Sequence, residues 1–223
     1  MFGEMLFTKG FYVGDTSEII PTEMLDNIAL QVLEFLNNKE KYFSVRSSTN
    51  SEELAQQIPY SAKNFRKKLI KDLKLDLSQE WSEIISQDTK YTSLLDKIRS
   101  YVTPLLIKFY PTLSTETIQF RDTITLFENG DFIRMHYDGK NFGRLCVLLM
   151  YLSDKNNDSY TGGELIIEEE QYKFVKVPPY KGTFVILDFT KHNVRHAVEK
   201  VTNNFERLCY IGFIYENKLN EEL

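Results

Sequence analysis

The stretch TIQFRDTITLFENGDFIRMHYD, residues 117–138, decides how this chain is read. Its opening part, 117–127, is rich in β-branched and aromatic residues, as strands are. Glu128-Asn129-Gly130-Asp131 has the composition of a tight hairpin turn, so 132–137 is predicted as the returning strand. That strand delivers His136 and Asp138 near its end. In an extended segment alternate residues share a face, so both side chains can reach one atom. The pair alone is weak evidence, because a solvent-facing pair at a hairpin end has the same spelling. Only three histidines occur in 223 residues, and the other two, His192 and His196, lie in one downstream segment followed by Arg207. Two histidines and a carboxylate on one metal leave open positions and suit non-haem Fe(II) oxygen chemistry.

Working outward, the second half continues as strands. Residues 147–152 are almost wholly apolar, as expected of an interior strand, and further strands are predicted at 164–167, 174–177, 183–187 and 208–215. Many strands with short turns favour a closed or sandwiched antiparallel architecture. The first half has a helical rhythm after a short strand candidate at 6–13. Pro21-Thr22-Glu23 opens a helix with Leu25, Ile28, Ala29, Val32, Phe35 and Leu36 on one stripe. One or two short helices are expected within 51–74, interrupted by Pro59. A longer helix is expected from about 91 to 110, with a kink or break at Pro104. The fold class read from this pattern is α+β, mainly β. One domain is expected over 1–223, with 1–112 as a mainly helical support and 113–216 as a β-rich catalytic core.

Hydrophobic residues at 42% and charged residues at 26% describe an ordinary globular chain. A net charge of -5 offers no general attraction for nucleic acid or acidic membranes, so a nucleic-acid partner is not expected. The basic run Lys63, Arg66, Lys67, Lys68, Lys71 and Lys74 reads as a solvated helix face. Cys146 and Cys209 sit in apolar runs and read as buried thiols. No leader-like opening and no long apolar run is visible, so neither secretion nor membrane spanning is expected, and cytoplasmic residence is the default expectation.

The region from about 115 to 215 resembles the Fe(II)- and 2-oxoglutarate-dependent dioxygenases, particularly their prolyl-hydroxylase-like branch. The likeness lies in an ordered arrangement: Asn129-Gly130-Asp131-Phe132 before His136-Tyr137-Asp138, the apolar run from Arg144 ending in Tyr151-Leu152, Thr161-Gly162-Gly163-Glu164-Leu165, Lys181-Gly182-Thr183, then His196-Ala197-Val198 and Arg207. The resemblance implies a double-stranded β-helix (jelly-roll, cupin-like) core buttressed by N-terminal helices. It implies His136, Asp138 and His196 as Fe(II) ligands and catalytic residues. Arg207 would hold the distal carboxylate of 2-oxoglutarate, a task suited to its planar fork. Phe127 stands where many relatives carry a cosubstrate-contacting tyrosine, and Cys209 replaces a common serine or threonine. With molecular oxygen as the other cosubstrate, the implied reaction hydroxylates an unactivated C–H bond and releases succinate and CO2.

His192 competes with His196 as the third ligand; the His-x-Val pattern and the spacing to Arg207 favour His196. Asp188 reads as an ordinary solvated carboxylate. Tyr137, Arg134 and Arg144 are candidates to line an approach route. A prolyl peptide, another peptide or protein, or a free amino acid is the expected substrate class. The alternative from another class is a non-catalytic double-stranded β-helix that binds a partner without turnover.

Overall fold

The computed structural model describes residues 9–48, 56–63, 79–84, 88–138, 144–154, 162–171, 173–192, 194–202 and 204–217. Twelve strands are described. In chain order they are β1 Phe11–Asp15, β2 Phe43–Ser48, β3 Gln56–Pro59, β4 Gln79–Ile84, β5 Ile118–Phe127 and β6 Ile133–His136, then β7 Arg144–Tyr151, β8 Leu165–Glu170, β9 Lys173–Val177, β10 Thr183–Asp188, β11 His196–Val198 and β12 Arg207–Glu216. Three helices, α1 Thr22–Leu36, α2 Lys39–Tyr42 and α3 Thr89–Phe109, accompany them. An eight-stranded sheet runs β1-β10-β7-β12-β5-β4-β2-β3, and a four-stranded sheet runs β6-β11-β8-β9. Every pairing is antiparallel. The two sheets form the expected mixed, double-stranded β-helix core.

The period-two alternation of the strands sorts side chains between two cores. On β12, Leu208, Tyr210 and Ile214 join the helix-side core, which includes Ile28 and Val32 of α1 and Leu94, Ile98 and Leu106 of α3. Cys209 points the other way, into a second core between the sheets with Phe127, Val147, Leu149, Tyr151, Leu165 and Ile167. Both cysteines are buried free thiols, as expected.

Helix α3 continues through Pro104 without a break. The Asp88 side chain caps its start by accepting from the Lys90 amide at 2.9 Å. An interior proline costs about 3 kcal/mol. Here Ile98 and Val102 before it, and Leu106 and Phe109 after it, are all buried on one stripe, and that burial offsets the cost of the proline.

Three further expectations change. Within 51–74, residues 56–59 form strand β3 and Tyr60–Ala62 a short 3-10 helix after Pro59, while 51–55 and 64–74 lie outside the described residues; β2, β3 and β4 extend the large sheet beyond β5. The turn at 128–131 closes no hairpin: β6 pairs with β11, in the opposite sheet from β5. The Gly130 amide donates to the Val201 carbonyl at 2.8 Å, and the Val201 amide donates to the Asp131 carbonyl at 2.9 Å. Those bonds to a distant loop turn the chain from one sheet into the other. Of the basic run at 63–74, only Lys63 lies within the described residues, and it is buried rather than solvated. Its Nζ donates to Asp131 Oδ2 at 2.6 Å, Glu128 Oε2 at 2.8 Å and Ser82 Oγ at 3.2 Å.

Candidate metal and cosubstrate site

The crossing from β5 to β6 carries His136 to the end of its strand, directly opposite His196, the first residue of β11. Cross-strand partners project to the same face, and the two imidazole centroids stand 4.3 Å apart. Asp138 lies two residues beyond β6, with Oδ1 3.4 Å from His136 Nε2 and Oδ2 3.4 Å from His196 Nε2. One candidate ligand atom from each residue lies within 4.8 Å of the others.

The other ring nitrogens are committed. His136 Nδ1 donates to the Arg134 carbonyl at 2.9 Å and His196 Nδ1 to the Val194 carbonyl at 3.3 Å. A carbonyl only accepts, so each Nδ1 is the donor to the backbone and each Nε2 is the nitrogen turned toward Asp138. Burial works against ionisation of Asp138, yet the facing imidazoles hold its carboxyl well below the usual carboxylate range. Burial likewise disfavours charge on His136, but Asp138 outweighs it and raises the imidazole pKa. The cluster is thus an anion between two nitrogen donors, a donor set suited to a divalent metal.

Arg207 opens β12 opposite Phe127, the last residue of β5, and is 1% exposed. Its Nε donates to the Gly163 carbonyl at 2.7 Å, and Nη2 lies 3.5 Å from the Tyr151 hydroxyl. Its guanidinium carbon sits 4.8 Å from the Phe127 ring centroid and 5.1 Å from that of Tyr151. Nη1 is buried and has no hydrogen-bond partner among the described residues. A buried guanidinium nitrogen left without an acceptor is costly, and a carboxylate is the natural group to satisfy it.

Gly162 and Gly163 explain why the Gly-Gly pair stands there. Both have positive φ, +83 and +80; a Cβ on Gly162 would fall 1.9 Å from the Lys200 carbonyl oxygen, and one on Gly163 would fall 3.2 Å from Arg207 Cδ. Tyr151 was visible in the sequence only as part of an apolar strand ending. Its role beside the guanidinium had one available signal, a phenol in an otherwise aliphatic interior run, since a buried hydroxyl needs a partner.

His192 is not in the cluster; its Cβ and ring pack against Gly10. Asp188 is fully buried, not solvated, and accepts from the Tyr110 hydroxyl at 3.0 Å and from the Thr190 amide and hydroxyl. It finishes β10 and fastens that strand end to Tyr110, just beyond α3. Tyr137 is half exposed, with Arg195 over its ring at 5.6 Å, while Arg134 is exposed.

Residues 122–215 match the family model of the 2OG-Fe(II) oxygenase superfamily. No curated protein matches the chain in sequence. Several solved structures share its fold over nearly its whole length. A prolyl-4-hydroxylase from Pseudomonas putida is 16% identical, with a TM-score of 0.64 over 96% of this chain and 97% of that one. A Trichoplax adhaerens prolyl hydroxylase in complex with a peptide fragment of the hypoxia inducible factor oxygen degradation domain is 16% identical, with a TM-score of 0.67 over 98% and 89%. A 2OG-Fe(II) oxygenase family oxidoreductase from Burkholderia pseudomallei is 12% identical, with a TM-score of 0.66 over 96% and 89%.

The chain therefore resembles the 2OG-Fe(II) oxygenase superfamily, with a prolyl-hydroxylase-like fold. The metal of that superfamily is Fe(II), and its cosubstrates are 2-oxoglutarate and O2. The residues present fit both: two nitrogens and a carboxylate converge for the metal, and a buried guanidinium with an unsatisfied Nη1 awaits a carboxylate. Among the described residues no helix is long and apolar enough to cross a membrane.

Proposed function

We propose that this protein is an Fe(II)/2-oxoglutarate-dependent dioxygenase that hydroxylates an unactivated C–H bond of a peptide or amino-acid-like substrate, a prolyl peptide being the first candidate. Residues 113–216 would be the catalytic core and 1–112 its support. His136 Nε2, His196 Nε2 and a carboxylate oxygen of Asp138 hold the metal, and Arg207 binds the distal carboxylate of the cosubstrate. The observation that carries this reading is the buried, unpartnered Nη1 of Arg207, because a plain metal-binding protein needs no such group. The Trichoplax structure, which holds a peptide, supports the substrate class.

Each residue has a defined task. Fe(II) and 2-oxoglutarate, when bound, supply oxygen activation coupled to oxidative decarboxylation of the cosubstrate to succinate and CO2. The Arg134 and Val194 carbonyls keep the Nδ1 protons in place, so both Nε2 atoms stay available as donors. The Gly163 carbonyl fixes the Arg207 fork through Nε and leaves both Nη atoms to a carboxylate. Phe127 and the other residues of the inter-sheet core keep water from that guanidinium, which strengthens its charge-assisted bonds.

Anaerobic addition of Fe(II) and then 2-oxoglutarate should produce a weak visible charge-transfer band. H136A and D138A should abolish it, while the remote K173A should not. Succinate release stimulated by prolyl peptides over free amino acids would support the peptide class, and the reverse order would move the assignment to free amino acids. Folded protein that binds neither component refutes the reading, and binding without turnover toward either class makes the chain a binding protein.

A further inference from the structure

The two histidines of the cluster are held by sheet pairing, since His136 and His196 face each other across β6 and β11. Asp138 has no such support: it lies two residues past the end of β6. The structure assigns its positioning to Arg144, the first residue of β7, on the reading above of Asp138 as a metal ligand. Arg144 Nη1 donates to the Asp138 backbone carbonyl at 2.9 Å and lies 3.7 Å from Asp138 Oδ1. One guanidinium nitrogen therefore fixes where the Asp138 backbone sits and, electrostatically, which way its carboxylate turns.

Arg144 is itself gripped within its own sheet, by the neighbouring strand β12, where Tyr215 is its cross-strand partner. Its Nε donates to the Tyr215 hydroxyl at 2.9 Å, and its guanidinium carbon lies 4.3 Å over the Phe213 ring. Tyr215 and Phe213 sit two residues apart on β12, so they share a face of that strand. The arrangement is a relay: the large sheet orients a guanidinium, which orients a carboxylate carried by the small sheet. Arginine is needed because stacking, the bond to Tyr215 and the bond to Asp138 use separate parts of one rigid plane. A lysine ammonium cannot make all three contacts at once.

Two effects of Arg144 on a bound cation oppose each other. Its positive charge near the site disfavours a second cation, whereas its hold on Asp138 pre-organises the ligand. Residues that orient metal ligands are worth roughly 10- to 100-fold in metal affinity, and Arg144 is partly exposed, so solvent screens its repulsion. Positioning dominates.

The test measures Fe(II) affinity anaerobically by competition with a chromogenic chelator, without cosubstrate or turnover. R144M should weaken Fe(II) binding roughly 10- to 100-fold, and R144K should fail to restore it. Y215F, which keeps the Asp138 contact but frees Nε, should weaken binding about threefold, and R144M/Y215F should be no weaker than R144M alone, because one relay is broken once. Thermal unfolding checks that each variant is folded at the assay temperature, and Y215F carries the test if R144M is not. R144M binding Fe(II) as tightly as wild type, or a full rescue by R144K, overturns the positioning role while leaving the oxygenase reading intact. Wild type that binds no Fe(II) overturns that parent reading, and this inference with it.

Discussion

Replacing Arg207 with lysine separates the two jobs of that side chain. Arg207 commits Nε to the Gly163 carbonyl and keeps Nη1, with Nη2 close to Tyr151, for an incoming carboxylate. Lysine preserves the charge but offers a single nitrogen, so it loses one of two charge-assisted hydrogen bonds, worth about 1.5–3 kcal/mol. That corresponds to 2-oxoglutarate binding weakened roughly 10- to 150-fold. Lysine also leaves the buried Gly163 carbonyl without its donor, a separate loss of about 1–3 kcal/mol that appears in folding stability. Metal binding without cosubstrate should stay within about twofold of wild type, because distant sites contribute independently. The assay is an anaerobic 2-oxoglutarate titration of Fe(II)-loaded protein followed by the charge-transfer band, with chemical denaturation run in parallel. An R207K protein that binds 2-oxoglutarate within about twofold of wild type would show that the guanidinium fork does not meet the cosubstrate, and the reasoning from its unsatisfied nitrogen would fail.

K63M removes a cation that faces Asp131, which is fully buried, and Glu128. Breaking such a group by deleting one partner costs about 3–5 kcal/mol, measurable as a lower denaturation midpoint. The Glu128 carboxyl is pushed up by burial but pulled further down by Lys63 and Lys39, to about 2 from an ordinary 4.5. Its folded pKa is depressed, so its contribution of about 3 kcal/mol is complete above pH 4.5 and fades as the pH falls toward 2; wild type should lose stability over that window relative to E128Q. G163A forces alanine into positive φ and sets its Cβ 3.2 Å from Arg207 Cδ, so it should cost about 1–2 kcal/mol and weaken 2-oxoglutarate binding without altering Fe(II) affinity.

The sequence showed which residues form the candidate site more clearly than how the chain brings them together. His136 and Asp138 were legible because strand periodicity is local, and Arg207 because it follows His196 at family-like spacing. β11, the strand that carries His196, spans only three residues and is too short for any periodic signal. Asn129-Gly130 favours a hairpin by its own geometry, but the partner of this turn is the Val201 loop, and no local pattern encodes a contact that distant. Lys63 looked solvated within a basic run, because the carboxylates that bury it lie on another element. Asp188 misled in a similar way: Thr190 beside it is a local partner, but Tyr110, which buries it, comes from another element. The proline in α3 was overruled by burial on both sides of it.

The charged cluster around Lys63 bears on how much chain the proposed site requires. Lys39 bonds Glu128 at 2.9 Å and also bonds Glu206, the residue before Arg207, while the Tyr60 hydroxyl donates to Glu128. The N-terminal region thus reaches both the crossing that leads to His136 and the start of the strand that carries Arg207. A gene fragment cut at the boundaries of the family match, 122–215, would encode all four chemical residues yet discard every cation of this cluster. It would also uncover Leu208, Tyr210 and Ile214, which the helices bury. The candidate site residues are written in the matched segment, but that segment is not a portable cassette, and transplanting the site means moving its N-terminal scaffold as well.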